Sequence, residues 1–130
     1  MSDAMTFELV SPERKLASVE AEAVTLPGMA GDMTAMANHA PFLTTLRPGF
    51  VAVRNGTSED RYFVTGGFAE VSDNVVSVLA EEAIEAGSVG AAYVDAKIAA
   101  VEAELSDAGD ERKQAIQLRL NDFIAVKSSV

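Results

Sequence analysis

The only histidine of this chain, His39, is the first candidate for chemistry. It lies among apolar, small and turn-forming residues, and the 130-residue chain contains no cysteine. An imidazole can act as a general base, bind a metal or contact a partner. A catalytic triad would need a nucleophile and a carboxylate beside His39, and no Gly-x-Ser-x-Gly sequence marks that nucleophile. His39 therefore has three interpretations: a catalytic group, a partner contact, or a residue that hydrogen-bonds within a turn.

The acidic residues do not define a catalytic site either. Glu81 and Glu82 are adjacent, and adjacent residues of a strand point to opposite faces of a sheet. A metal site would have to consist mainly of carboxylates, yet no Asp-rich calcium loop occurs. The sequence also lacks a Gly-Lys-Ser/Thr phosphate loop. We expect no catalytic, cofactor-binding or metal-binding residues, and hence a binding or structural module rather than an enzyme.

The composition limits the classes of partner. Hydrophobic residues make up 48% of the chain, which is enough to form a core. Twenty acidic residues against ten basic ones give a net charge of -10, most of it carried by the first 87 residues. Such a surface repels nucleic acids and anionic lipids, and it either meets a basic partner or serves solubility. We see no secretory signal and no apolar run of membrane-spanning length, so we expect no direct membrane insertion.

The first 87 residues have a pattern typical of β-strands. Apolar and polar residues alternate in the stretch TFEL, which places the apolar side chains on one face. Asn55-Gly56 is a turn dipeptide between two runs of β-branched and aromatic residues, and Gly66-Gly67 are expected to serve backbone geometry. Short strands with frequent turns indicate a sandwich or flattened barrel of roughly eight to ten strands.

The remaining residues change to a helical pattern. Ala91 to Leu105 contains no Gly or Pro, and its apolar residues recur at helical spacing. Gly109 interrupts this pattern, and Asp110 is placed to cap a second helix. The apolar face of that helix is predicted to contain Ile116, Leu120, Phe123 and Ile124. The predicted fold class is therefore α+β, with a β-sandwich over residues 1–87 followed by an antiparallel two-helix hairpin over residues 88–130.

Several stretches together resemble a known family. LVSPERKL, HAPFLTTLRPG and VTGGFAEVSDNVVSVLAEEA occur in this order within residues 5–86, and their combination is similar to the epsilon subunit of bacterial F-type ATP synthase. The resemblance implies a sandwich followed by a helical hairpin, and a non-catalytic role in the central stalk of the rotor. It also implies the gamma subunit and the ring of c subunits as partners. The resemblance further implies alpha and beta subunits as partners of the hairpin, which can inhibit ATP hydrolysis in such proteins. The implied location is peripheral, on the cytoplasmic side of the bacterial plasma membrane.

The resemblance also implies which residues contact these partners. The loop that faces the ring corresponds to GDMTAMANHAP, with Asp32, Met33, His39 and Pro41 as contact residues for the ring or gamma. A carboxylate such as Asp32 can bind an arginine of the ring. The family often has Pro-Gly where Ala37-Asn38 stand, and asparagine tolerates the left-handed region that glycine would adopt. We expect Asp32 and His39 to lie exposed at the membrane-facing end of the sandwich.

Some bacterial members of the family bind nucleotide at the first helix through an Asp and an Arg. The corresponding stretch here is VDAKIA, in which Asp95 and Ala99 match and Ile98 replaces the arginine. Lys97 lies one position away, on a different face of the helix. Without the phosphate-pairing guanidinium, we expect no bound nucleotide.

Two alternatives to a rotor subunit remain open on the residues alone. One is a stand-alone β-sandwich that binds a protein or a small ligand, which predicts an exposed apolar pocket on the sandwich. The other is an enzyme that uses His39 with a carboxylate in a closed pocket.

Overall fold

A computed structural model of the protein describes residues 5–128. The chain divides into two compact units, Met1–Ala86 and Gly87–Val130. The strands are β1 Met5–Val10, β2 Lys15–Ala21, β3 Ala23–Gly28, β4 Gly31–Met36, β5 Phe42–Leu46, β6 Gly49–Asn55, β7 Ser58–Val64, β8 Gly67–Ser72, β9 Val75–Ala80 and β10 Ala83–Glu85. A single 3-10 turn over Ala86–Ser88 precedes the helices α1 Ala91–Asp107 and α2 Asp110–Lys127.

The strands form one hydrogen-bonded ladder that divides at β3. The order is β10-β7-β6-β3-β5-β8-β9-β1-β2, and β4 pairs with β3. β3 pairs with β6 over Ala23–Thr25 but with β5 only at Gly28. Two layers of five strands result, β4-β3-β6-β7-β10 and β5-β8-β9-β1-β2, and buried residues from both layers form one core. The predicted N-terminal sandwich followed by helices is confirmed.

The core is built from alternate residues of the strands. Phe7 and Leu9 of β1 are fully buried, and so are Val51 of β6 and Val76 of β9. Each such side chain contributes about 1.5–3 kcal/mol to folding by leaving water. The Tyr62 ring stacks on Phe7 with ring centroids 6.1 Å apart. The alternation that predicted strands in the sequence is thus the same alternation that fills the core.

Both predicted turn elements are present in the sandwich. Gly56 and Thr57 join β6 to β7 directly after Asn55, the last residue of β6, and Gly56 has φ 64°. Gly66 and Gly67 have φ 144° and 139°, as expected for residues that serve backbone geometry. A Cβ at Gly67 would lie 2.1 Å from the carbonyl oxygen of Leu79 on the paired strand. Gly67 therefore permits the close approach of β8 to β9 at this position.

The second unit is an antiparallel pair of helices. Lys127 Nζ near the end of α2 lies 2.7 Å from Asp95 Oδ1 near the start of α1. Glu104 near the end of α1 pairs with Arg112 at 3.2 Å and also with Arg119. These ion pairs match the start of each helix with the end of the other, as the predicted hairpin requires.

Two details of α2 differ from the sequence-based expectation. Gly109 is the N-cap residue and Asp110 lies in the first turn, where its charge still favours the positive end of the helix dipole. Ile124 is 49% exposed, whereas Val126 is buried. Successive residues of a helix are rotated by about 100°. With Phe123 buried, the neighbouring Ile124 turns outward, and the buried face continues three residues later at Val126.

Candidate functional site

The hairpin between β3 and β4 places Asp32 close to its tip. Asp32 lies opposite Pro27 in the ladder, two residues after the turn formed by Met29 and Ala30. The Arg47 guanidinium donates one hydrogen bond to Asp32 Oδ1 and another, of 2.6 Å, to the carbonyl oxygen of Gly28. The Asp32 side chain remains 65% exposed. Asp32 is therefore exposed, as expected, but its carboxylate is already engaged by an arginine of the same chain.

Met33 has a different place from the one expected of a contact residue. It lies opposite Leu26 on β3 and packs, half-buried, against the core of the sandwich. The exposed apolar side chain of the tip is Met29, at 56%. Sequence reasoning missed Met29, although its position directly after Pro27-Gly28 is a signal for an exposed turn.

His39 lies in the loop that joins β4 to β5. Its Nδ1 is 2.7 Å from the carbonyl oxygen of Ala40, and its ring contacts Phe42 edge-on with centroids 6.5 Å apart. The His39 amide donates to the carbonyl oxygen of Met36 at 3.1 Å, which closes the turn. His39 and Pro41 are both exposed. This geometry matches a histidine that holds a turn and leaves one edge of its ring accessible.

The structure does not bring Asp32 and His39 together. The loop of His39 is bonded to the β8–β9 turn, where the Asn38 amide donates to Asn74 Oδ1 at 2.6 Å. Arg47, the partner of Asp32, comes directly after Leu46, the last residue of β5. Leu46 pairs with Gly67, which lies at the end of β8 that is far from the β8–β9 turn. The length of β5, about 13 Å at the usual rise per residue, separates the Asp32–Arg47 pair from the loop of His39. The expectation that both residues lie at one membrane-facing end is wrong, because β4 and β5 each run from one end to the other.

An apolar surface that sequence reasoning missed lies on the outer face of the second layer. Phe68 and Leu79 are 55% and 58% exposed, and they are directly opposite each other on β8 and β9. Val10 of β1 lies opposite Leu79 on its other side. We call Val10, Phe68 and Leu79 the docking patch. Together with Pro12 and Glu81 they line an open depression of about 340 Å³.

The three residues of the docking patch could not be grouped from the sequence. Val10, Phe68 and Leu79 lie far apart in the chain, and only the registers of two strand pairs align them in one row. Apolar patches of this kind on a protein surface often mark contacts with other proteins. The only local signal was that large apolar side chains occupy outward positions of strands whose inward positions are also apolar.

Within residues 5–128, no three His, Cys, Asp or Glu side chains lie close enough to hold a metal ion. Burial raises the pKa of the Tyr62 phenol, and the carboxylates of Asp60 and Glu85 raise it further. Tyr62 is therefore neutral at physiological pH and acts as a core aromatic residue.

The stretch that corresponds to a nucleotide motif lies on α1. The Asp95 carboxylate is paired with Lys127 at 2.7 Å, and Lys97 Nζ lies 5.4 Å from the centre of the Tyr93 ring. Ile98 is half-buried. The matching aspartate is thus neutralised within the hairpin, and an apolar side chain stands where a phosphate would need a cation.

Neither helix among residues 5–128 combines the length and the apolar character that crossing a bilayer would require.

Comparison with known proteins assigns the chain to a family. The model of the ATP synthase delta/epsilon chain β-sandwich domain matches residues 4–86. The ATP synthase epsilon chains of Cereibacter sphaeroides and Fuscovulum blasticum are 43% and 45% identical over 129 residues, which is 99% of this chain and 98% of each relative. The epsilon chain of Ruegeria sp. is 54% identical over 95 residues, covering 73% of this chain and 69% of the relative.

Solved structures share the fold at lower identity. A chain in the cryo-EM structure of the Euglena gracilis mitochondrial ATP synthase superposes with a TM-score of 0.76 and 22% identity, covering 97% of this chain and 81% of that one. A chain of the Tetrahymena thermophila mitochondrial ATP synthase central stalk gives 0.65 and 15%, covering 97% and 98%. The fold agrees with these neighbours, and the sequence relatives decide the family. The chain belongs to the epsilon-chain family of ATP synthase.

Proposed function

We propose that this chain is a non-catalytic rotor subunit of a proton-translocating F-type ATP synthase, in which it links the gamma subunit to the ring of c subunits. The observation that carries this proposal is the match to ATP synthase epsilon chains over nearly the whole length of the chain. In this role the chain is peripheral to the membrane, on the cytoplasmic side of a bacterial plasma membrane. The helical hairpin modulates ATP hydrolysis through contacts with the alpha and beta subunits.

A mechanical link needs separate surfaces for its two partners and a rigid body between them. The core of the sandwich supplies the rigid body, because close-packed side chains leave little room for deformation. The tip of the β3–β4 hairpin, with Met29 and Asp32, is the surface for the ring. His39 and Pro41 lie at the opposite end of the sandwich, so in this proposal they contact gamma rather than the ring.

The docking patch is the main gamma-binding surface in this proposal. An exposed cluster of large apolar side chains on a soluble domain is a common mark of a protein contact. In the next row of outward-facing residues, Ser77 of β9 lies between Glu70 of β8 and Glu8 of β1. The matching surface of gamma is then apolar at its centre and basic at its rim, which gives complementary charge around a desolvated core.

The depression beside the docking patch also meets the expectation for a stand-alone binding module. A volume of about 340 Å³ is in the range of small-ligand pockets. However, the depression is open and its walls are mainly apolar, with few polar groups to orient a small molecule. This composition favours a protein side chain as the occupant.

Affinity capture of the tagged chain from its source cells tests the proposed function. We expect the alpha, beta and gamma subunits to co-purify under gentle conditions, and the c ring to follow when the membranes are solubilised with a mild detergent. A stand-alone module would instead be recovered without these subunits. That result would contradict the rotor assignment.

Reversing the charge of Asp32 is expected to reduce ATP synthesis driven by proton flow by about two- to tenfold. Asp32→Arg removes the carboxylate that would meet a ring arginine and places two like charges together. The same change also leaves Arg47 beside a second arginine. The measurement is the ratio of ATP synthesised to protons transported in membranes that carry the variant.

The double variant Asp32→Arg with Arg47→Asp separates these two causes. It restores an ion pair inside the chain with the charges exchanged, while the charge presented to the ring stays reversed. We expect coupling to remain reduced in the double variant. Full recovery of the ratio of ATP synthesised to protons transported would mean that Asp32 acts only through Arg47 and does not contact the ring.

We expect no ATP binding by the isolated chain at physiological nucleotide concentrations. Ile98 offers no charge to a phosphate, and Lys127 already neutralises Asp95. Isothermal titration of the full chain with ATP and magnesium should give no heat beyond dilution. A dissociation constant in the micromolar range would refute this expectation.

A further inference from the structure

Two asparagines from different loops meet at the end of the sandwich that carries His39. Asn38 follows β4 and Asn74 lies in the β8–β9 turn, 36 positions later in the chain. The backbone N–H of Asn38 donates to Asn74 Oδ1 at 2.6 Å, and the side-chain nitrogen Asn74 Nδ2 lies 3.5 Å from Asn38 Oδ1. The carbonyl oxygen of Asn74 accepts from the Thr6 amide at 2.9 Å. Asn74 therefore ties the loop of His39 to the start of β1 as well as to its own hairpin.

Both asparagines adopt the left-handed backbone conformation. Their φ values are 66° for Asn38 and 59° for Asn74, and Asp73 has φ 51°. Two successive positive φ values are the geometry of the tight hairpin turn in which Asn, Asp and Gly predominate. Glycine would satisfy the backbone at either position, but it has no side chain. The side-chain amide of Asn74 adds a link between two loops that backbone conformation alone would not provide.

We propose that Asn74 is a positioning residue that fixes the loop of His39 for contact with the gamma subunit. This inference rests on the proposed function, since it assumes that His39 and its neighbours meet gamma. Holding the Asn38 amide sets the direction in which the chain leaves β4. His39 and Phe42 follow directly, and Phe42 is 43% exposed beside the imidazole. A loop ordered before binding loses less conformational entropy on association, so affinity rises without a new contact.

Glycine and aspartate variants of Asn74 test this role in the full chain. Asn74→Gly keeps the left-handed turn and removes both side-chain links. Asn74→Asp keeps an oxygen that can accept from the Asn38 amide, and it is the matched control. Hydrogen exchange of the Asn38 amide, followed by NMR, should be faster by roughly three- to tenfold in Asn74→Gly, as expected for one lost hydrogen bond. Exchange in Asn74→Asp should stay close to that of the unmodified chain. Unchanged exchange in Asn74→Gly would overturn the proposed link.

Affinity for purified gamma subunit gives the second readout. Asn74→Gly should bind gamma several-fold more weakly although urea denaturation shows that the variant is still folded, and Asn74→Asp should bind as the unmodified chain does. Faster exchange with unchanged affinity would overturn the positioning role. If the unmodified chain itself fails to bind gamma, the proposed function fails. The exchange data would still decide whether Asn74 holds the loop.

Discussion

Replacing Phe68 with aspartate is expected to weaken binding of the chain to the gamma subunit by about thirtyfold or more. Phe68 belongs to the docking patch, where it lies directly opposite Leu79, the middle residue of the row. Large apolar side chains at the centre of an interface commonly account for about 2 kcal/mol or more each, which corresponds to that factor. A carboxylate at this position must also be desolvated against an apolar surface without a partner. Leu79→Asp should have a similar effect.

Titration calorimetry with purified gamma measures this loss. Leu118→Asp is a matched control, because Leu118 is 53% exposed and lies on α2, outside the docking patch. Urea denaturation of each variant checks that the sandwich remains folded. Equal affinities for the Phe68 variant and the Leu118 variant would remove the docking patch from the gamma interface.

Gly67→Ala is expected to lower the free energy of unfolding of the chain by about 3–5 kcal/mol. The added Cβ would lie 2.1 Å from the carbonyl oxygen of Leu79 and 2.9 Å from the Cα of Ala80. Both atoms belong to the backbone, so no side chain can rotate away to make room. The backbone φ of 139° is also one that alanine rarely adopts. The pairing of Gly67 with Ala80 would have to break or shift, which disturbs the middle of a layer.

Gly87→Ala provides the matched control for this prediction. A Cβ at Gly87 would have no heavy atom within 4 Å. Its unfolding free energy should change by less than about 0.5 kcal/mol. Urea denaturation followed by far-ultraviolet circular dichroism measures both variants. Similar values for Gly67→Ala and Gly87→Ala would show that the layer absorbs the extra methyl group without cost.

The sequence determined the features that depend on residues close together in the chain. Alternation of apolar and polar residues identified strands, and Asn55-Gly56 identified a hairpin turn, because a strand places successive side chains on opposite faces and a tight turn needs positive φ. The absence of Gly and Pro from Ala91 to Leu105 identified the first helix. The order of the family motifs also identified the family, which the relatives confirm.

The way in which distant residues combine depends on the three-dimensional fold. The engagement of Asp32 by Arg47, the separation of Asp32 from His39, and the row of Val10, Phe68 and Leu79 all depend on strand pairing. A strand pattern shows which side chains share a face, but it does not show which strand lies beside it or in which register. Register is set by the packing of the whole core and by the turns. The surfaces that we propose for partner contact therefore arise from long-range pairing, while the fold class arises from local pattern.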